Sequence, residues 1–190
     1  MFARDYQITH DIDWFCMING LPIHTASNGG IMPFNLCTVA ELREIQQSVR
    51  EIEESHDFEI NRYLDIPSNP YLDGLGDNFY YFFPEALGLF SNLNLTNSQK
   101  AYYWSFVKMA KKGFYSFDRL KERNRYQLVA WPRQNNSDKG KLIHILRQVT
   151  YRCESSELDD LGKLENHGLS VNIVDIINRS SRKRGKVIEY

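Results

Sequence analysis

The alternation of apolar and polar positions near the N-terminus predicts a β-hairpin, DIDWFCMI-NG-LPIHTAS. Asn19-Gly20 suits a two-residue type I′ turn, which needs positive φ at both positions. That turn opposes Ile18 to Leu21, Cys16 to Ile23 and Trp14 to Thr25. Ile12, Trp14, Cys16, Ile18, Leu21 and Ile23 then share the face expected to be core. The other face carries Asp13, Phe15, Met17, Pro22, His24 and Ala26. Pro22 has no N–H to offer and should weaken pairing with any third strand beside it.

The period then changes. Val39, Leu42, Ile45, Val49 and Ile52 recur at helical spacing and predict an amphipathic helix over roughly residues 39–54. Thr38 and Glu41 offer it a capping box. Pro67, Pro70, Gly74 and Gly76 break residues 55–78 into an expected irregular loop, a candidate lid or binding loop. The run FYYFFPEALGLF (79–90) is apolar all round and is expected to be buried. A second helix is expected at about residues 98–112, capped by Asn97 or Ser98 and closed by Gly113. Tyr102, Tyr103, Phe106, Val107, Met109 and Ala110 form its apolar arc; Lys100, Trp104, Lys108 and Lys111 lie opposite.

Two β-like runs follow, 125–132 and 141–151, joined by a polar hairpin loop. A short helix is expected from Ser155 to Leu164. The run 169–177 can be strand or helix, and its β-branched residues favour strand. The fold class is therefore α+β: an antiparallel sheet, built from the N-terminal hairpin plus strands near 114–151, packed against two main helices at about 39–54 and 98–112. A chain of 190 residues fits one domain, with a basic tail at 179–190.

Composition adds a large core, since 13% of residues are aromatic. Cys16, Cys37 and Cys153 are odd in number and widely spaced, so no disulfide framework or zinc site is expected, and a reducing cytoplasm fits best. The N-terminus lacks the pattern of a signal peptide, and no apolar run is long enough for a membrane span. The glycosylation-like tripeptides at Asn94, Asn135 and Asn178 are read as chance.

Charge changes the picture more. Residues 1–95 carry four basic and fourteen acidic side chains, a net of −10; residues 96–190 carry a net of +9, and the first lysine is Lys100. Either the second half offers a basic surface to an anionic partner, or the halves neutralise each other.

Four places are candidates for chemistry. Lys100, Trp104, Lys108, Lys111, Arg123 and Arg125 combine cations with an aromatic ring, as a surface for an anionic protein or nucleic acid would. The competing reading is lysine stems covering a packed tryptophan. The basic tail (Arg179, Arg182, Lys183, Arg184, Lys186) can bind nucleic acid or be solvated surface. Asp13 and His24 lie on one face of the hairpin, two positions apart across the strands, with His10 nearby. Such a pair suits acid–base chemistry, with an ordinary surface pair as the competing reading. The Asp73–Asn78 loop superficially suggests a cation loop but lacks the carboxylate spacing of an EF-hand, so a turn is the default.

No phosphate-binding, dinucleotide, metalloprotease, serine-hydrolase or kinase motif occurs. No cofactor or metal is implied. The leading expectation is a cytoplasmic, non-enzymatic binding module with a basic-aromatic face. A hydrolase-type enzyme using Asp13 and His24 is the alternative. A structural or assembly protein, such as a homodimer, is the third.

Overall fold

The computed structural model describes residues 4–30, 32–33, 39–120, 125–133, 152–153, 155–158 and 170–177. In chain order they form α1 (Arg4–Thr9), β1 (Asp13–Ile18), β2 (Leu21–Ala26), α2 (Val39–Arg50), β3 (Phe58–Ile60), α3 (Pro70–Gly74), a 3-10 turn (Gly76–Asn78), α4 (Phe79–Phe82), α5 (Pro84–Phe90), α6 (Asn97–Lys111), β4 (Tyr115–Leu120), β5 (Arg125–Pro132), β6 (Arg152–Cys153), a second 3-10 turn (Ser156–Leu158) and β7 (Ser170–Val171). A short helix at 173–177 follows. The fold is α+β.

The strands form one sheet in the order β3-β5-β4-β2-β1-β6, with β7 also paired to β5. The β1–β2 hairpin has the register that Asn19-Gly20 dictates: Ile18 opposes Leu21, Cys16 opposes Ile23 and Trp14 opposes Thr25. Asn19 and Gly20 have φ of 51° and 72°. The expected second β region joins the same sheet as the antiparallel pair β4–β5. The junction between the two is parallel, however, with Ile23, His24, Thr25 and Ala26 of β2 opposite Tyr115, Ser116, Phe117 and Asp118 of β4. Pairing starts at Ile23, directly after Pro22, whose missing N–H would leave a gap in the ladder. The sheet is thus mixed, and β2 is an interior strand.

The two main helices are present, although α2 ends at Arg50, one turn short of the expected 54. In α2, Leu42, Ile45 and Val49 are buried and join Trp14, Cys16, Ile23, Leu128 and Ile173 in one core cluster. In α6, Tyr103, Phe106, Val107 and Ala110 are buried. They join Ala26, Ile60, Phe79, Phe90 and Val129 in a second cluster. The cap of α6 is Thr96 rather than Asn97 or Ser98. Thr96 has extended backbone, and Gln99 three residues on returns the hydrogen bond, completing a capping box. Lys112, directly after α6, is buried and donates to the carbonyls of Val49 (2.9 Å) and Arg50 (3.0 Å). It thereby caps the C-terminus of α2.

Three expectations change. Residues 55–78 are not one irregular loop: they include β3 and α3. The run 79–90 is not uniformly buried. Phe79, Ala86 and Phe90 are buried, whereas Tyr81, Phe82 and Leu87 are exposed, because the short helices α4 and α5 pack on one side only. The run 169–177 divides into a two-residue strand and a helical turn. The strand at 141–151, its loop and the basic tail lie outside the described residues.

Candidate functional site

The pairings β1–β2 and β2–β4 set two rows of side chains side by side on one face of the sheet. Phe15, His24 and Ser116 form one row, and Asp13, Ala26 and Asp118 form the next. The hairpin face opposite the expected core is therefore a second interior face. It is covered by α6, whose Phe106 ring lies 6.1 Å from that of His24. Phe15 approaches His24 from the neighbouring strand at 5.3 Å.

His24 lies between two polar groups. Its Nε2 lies 3.2 Å from Asp13 Oδ1, and its Nδ1 lies 3.2 Å from Ser116 Oγ. The Nε2 contact has the length of a hydrogen bond but not the angle, so we treat it as electrostatic. His24 is 1% exposed and Ser116 0%, whereas the Asp13 side chain is 47% exposed. Solvent therefore meets Asp13, not the imidazole or the hydroxyl. The order Asp–His–Ser resembles a nucleophilic triad only in composition. The serine sits on Nδ1 and the aspartate on Nε2, the reverse of the usual arrangement, and a buried Oγ cannot reach a substrate carbonyl.

Asp118 lies on the far side of Ala26 from Asp13. Tyr102 of α6 donates to its Oδ2 at 2.8 Å. Burial pushes the Asp118 carboxyl up to about 6; the Tyr102 hydrogen bond opposes this, the charge of Asp11 adds to it, and His24 opposes it. Burial also pushes Asp13 up, but the electrostatic attraction of the His24 imidazole 3.2 Å away outweighs this and leaves it below its ordinary value. Burial and the neighbouring Asp118 charge push the Tyr102 hydroxyl far up, so it stays a donor. Two carboxylates at one end of the sheet thus titrate in opposite directions.

The loop after β2 bounds this end. Asn28 and Gly29 take positive φ, 43° and 68°. Asp11 Oδ1 accepts the Asn28 N–H at 2.6 Å, and Asn28 Nδ2 donates to the Arg119 carbonyl at 3.3 Å. Arg119 lies across Gly30 so closely that a Cβ there would collide with its side chain. His10 stands apart from the pair, stacked on Tyr6 at 3.9 Å.

The basic-aromatic residues are placed differently. Lys100 Nζ donates to Asn97 Oδ1 at 3.2 Å and lies 4.9 Å from the centre of the Tyr80 ring. Trp104 is part-buried against Phe83, with Lys108 Nζ 4.7 Å above its ring. Lys108 pairs with Glu85 and Lys111 with Glu54 at 3.6 Å. Arg125 belongs to β5, exposed opposite Leu120, and Arg123 lies outside the described residues. Arg133 pairs with Glu59 at 2.7 Å. Each of these three ion pairs joins a cation of the second half to an acid of the first, so part of the charge asymmetry is satisfied internally.

The Asp73–Asn78 loop docks on the N-terminus of α6. Asp73 accepts from Ser98 N (2.8 Å) and Ser68 Oγ (2.7 Å), and these bonds hold it below its ordinary value. Its carboxylate thus complements the helix N-terminus. Asn97 Nδ2 donates to the carbonyls of Leu72 and Gly76. Among the described residues no group of three His, Cys, Asp or Glu side chains is arranged to hold a metal ion, and no helix is long and apolar enough to cross a membrane.

No family model matches the chain, and searches of curated proteins and of solved structures return no match.

The sequence pairs Asp13 with His24, which the structure brings to 3.2 Å, but gives no sign that Ser116, Asp118 and Tyr102 lie beside them. Only the parallel β2–β4 register brings Ser116 to a histidine 92 residues away. Tyr102 was assigned to the core arc of α6, which is correct for its ring and silent about its hydroxyl.

Proposed function

We propose that the chain is an acid–base enzyme of the hydrolase type, with Asp13 as the base and Asp118 as the acid. One observation carries this reading: the two carboxylates share one face on either side of Ala26, and their surroundings pull their titrations apart. Opposed titration of paired carboxyls is how acid and base roles are divided in such sites. Asp13 is ionised and half-exposed, so it can take a proton from an attacking water. Asp118 retains its proton up to about pH 6 and can give it to a leaving group. His24 positions Asp13, and Tyr102 positions Asp118. The site lies where the parallel strands β2 and β4 finish, an end that open sheets commonly use for ligands. The substrate is left at the level of a polar molecule with a hydrolysable bond, and we take the cytoplasm as its compartment, a reading supported by the odd number and wide spacing of Cys16, Cys37 and Cys153.

The basic-aromatic face has less to support it as a surface for an anionic partner, because Lys108 and Lys111 face Glu85 and Glu54 of the same chain.

The test is turnover of chromogenic esters, phosphate esters and glycosides across about pH 4 to about pH 8. The expected result is a bell-shaped profile that declines above about pH 6, with activity lost in both Asp13→Asn and Asp118→Asn. Inert behaviour toward the whole panel, or activity retained by the two variants, would refute it.

A further inference from the structure

Asn19 does two things at the tip of the hairpin. With Gly20 it makes the turn between β1 and β2, at φ of 51° and 72°. Its side-chain amide also pairs with a backbone unit 136 residues further on. Nδ2 donates to the Ser155 carbonyl at 2.7 Å, and Oδ1 accepts the Ser155 N–H at 2.7 Å. The carboxamide supplies one donor and one acceptor, as the backbone of a neighbouring strand would.

These bonds extend a short attachment. Among the described residues β6 pairs with β1 at two positions, Met17 with Arg152 and Ile18 with Cys153. Three residues beyond Ser155, Leu158 is buried in the core cluster with Trp14, Cys16 and Ile23. Asn19 therefore fastens the point at which the chain turns from the end of β6 into the core.

The glycine after Asn19 makes its amide reactive. Glycine has no side chain to shield its backbone nitrogen. Gly20 is exposed, and nothing lies within 4 Å of where its Cβ would stand. Once its proton has passed to hydroxide, the Gly20 nitrogen can attack Asn19 Cγ. The new N–C bond closes a succinimide; the Cγ–Nδ2 bond breaks, and the nitrogen takes a proton from water and leaves as ammonia. Water then opens the ring to aspartate or isoaspartate. Water is the one co-reactant, and nothing is oxidised or reduced.

The two bonds to Ser155 oppose the first step, because they hold the carboxamide on Ser155. Neither product restores them. Aspartate has no donor for the Ser155 carbonyl and sets an anionic oxygen where Nδ2 stood. Isoaspartate also adds a methylene to the main chain of a two-residue turn, whose length sets the strand register.

We propose that Asn19-Gly20 is a self-modification site, whose deamidation irreversibly unlatches the segment 155–158 from the hairpin. The site lies at the opposite end of the hairpin from Asp13 and Ala26, and it is independent of the acid–base reading.

The experiment ages the full chain in mildly alkaline buffer and follows two readouts: the mass of the peptide holding Asn19, and hydrogen exchange at 155–158. That peptide is expected to exchange the mass of an amino group for that of a hydroxyl, more slowly than in urea, where the latch is open. In the converted fraction, exchange at 155–158 should accelerate about tenfold or more. Asn19→Gly keeps a turn that accepts positive φ, cannot deamidate, and should show the same acceleration without ageing. The proposal is overturned by no conversion in the folded chain or by conversion as fast as in urea. Unchanged exchange in the converted fraction or in Asn19→Gly overturns it equally.

Discussion

Replacing Asp118 by Asn should make the protein more stable above pH 6 and leave its stability unchanged at low pH. Asp118 has its folded-state titration raised from 3.8 to about 6, first by burial. Between these values the folded chain holds a proton that the unfolded chain has released. Stability therefore falls as pH rises through this window and levels off above it. The gap from 3.8 to about 6 corresponds to about 3 kcal/mol. Asp118 is only part-buried, so water relaxes part of that cost, and about 1–2 kcal/mol is the expected loss. Asn is nearly isosteric, still accepts from Tyr102 and never ionises, so the variant should escape the loss. Urea unfolding of both proteins from about pH 3 to about pH 8 checks this at constant slope. The difference between the curves isolates Asp118 from other titrating groups. Equal stabilities throughout, or a variant weaker than the parent at about pH 8, would show that Tyr102 and His24 stabilise the charge more than burial penalises it.

Two further outcomes follow from local geometry. Lys112→Met should cost about 1.5–3 kcal/mol in urea unfolding, because it leaves the Val49 and Arg50 carbonyls at the end of α2 without their charged donor; an unchanged midpoint would contradict that role. Gly30→Ala should displace Arg119 and lower the thermal midpoint, since the added Cβ occupies the space of the Arg119 side chain, whereas Gly88→Ala meets nothing within 4 Å and serves as the control.

The parts of the fold legible in the sequence are those set by neighbours in the chain. Asn19-Gly20 fixes the turn, and alternation then fixes every pair of β1 and β2. The apolar stripes of α2 and α6 mark their buried sides in the same way. What alternation cannot reveal is that both faces of an interior hairpin are covered. Alternation marks Phe15, Met17, His24 and Ala26 only as the face opposite the expected core, and all four are buried. The parallel β2–β4 junction has no local signature either, and it alone brings Ser116 and Asp118 beside the hairpin. The run 79–90 misled for the opposite reason: an all-round apolar pattern was read as burial, but two short helices on an outer layer can bury only one side. The charge asymmetry was legible from the start, and the pairs Lys108–Glu85, Lys111–Glu54 and Arg133–Glu59 favour internal neutralisation over an open basic surface.

The central claim is that Asp13 and Asp118 divide the base and acid roles. Carbon-detected NMR titration of the two side-chain carboxyls tests it directly. The account predicts an Asp118 midpoint near 6 and an Asp13 midpoint below 3.8. Coincident midpoints near the ordinary value for aspartate would contradict it.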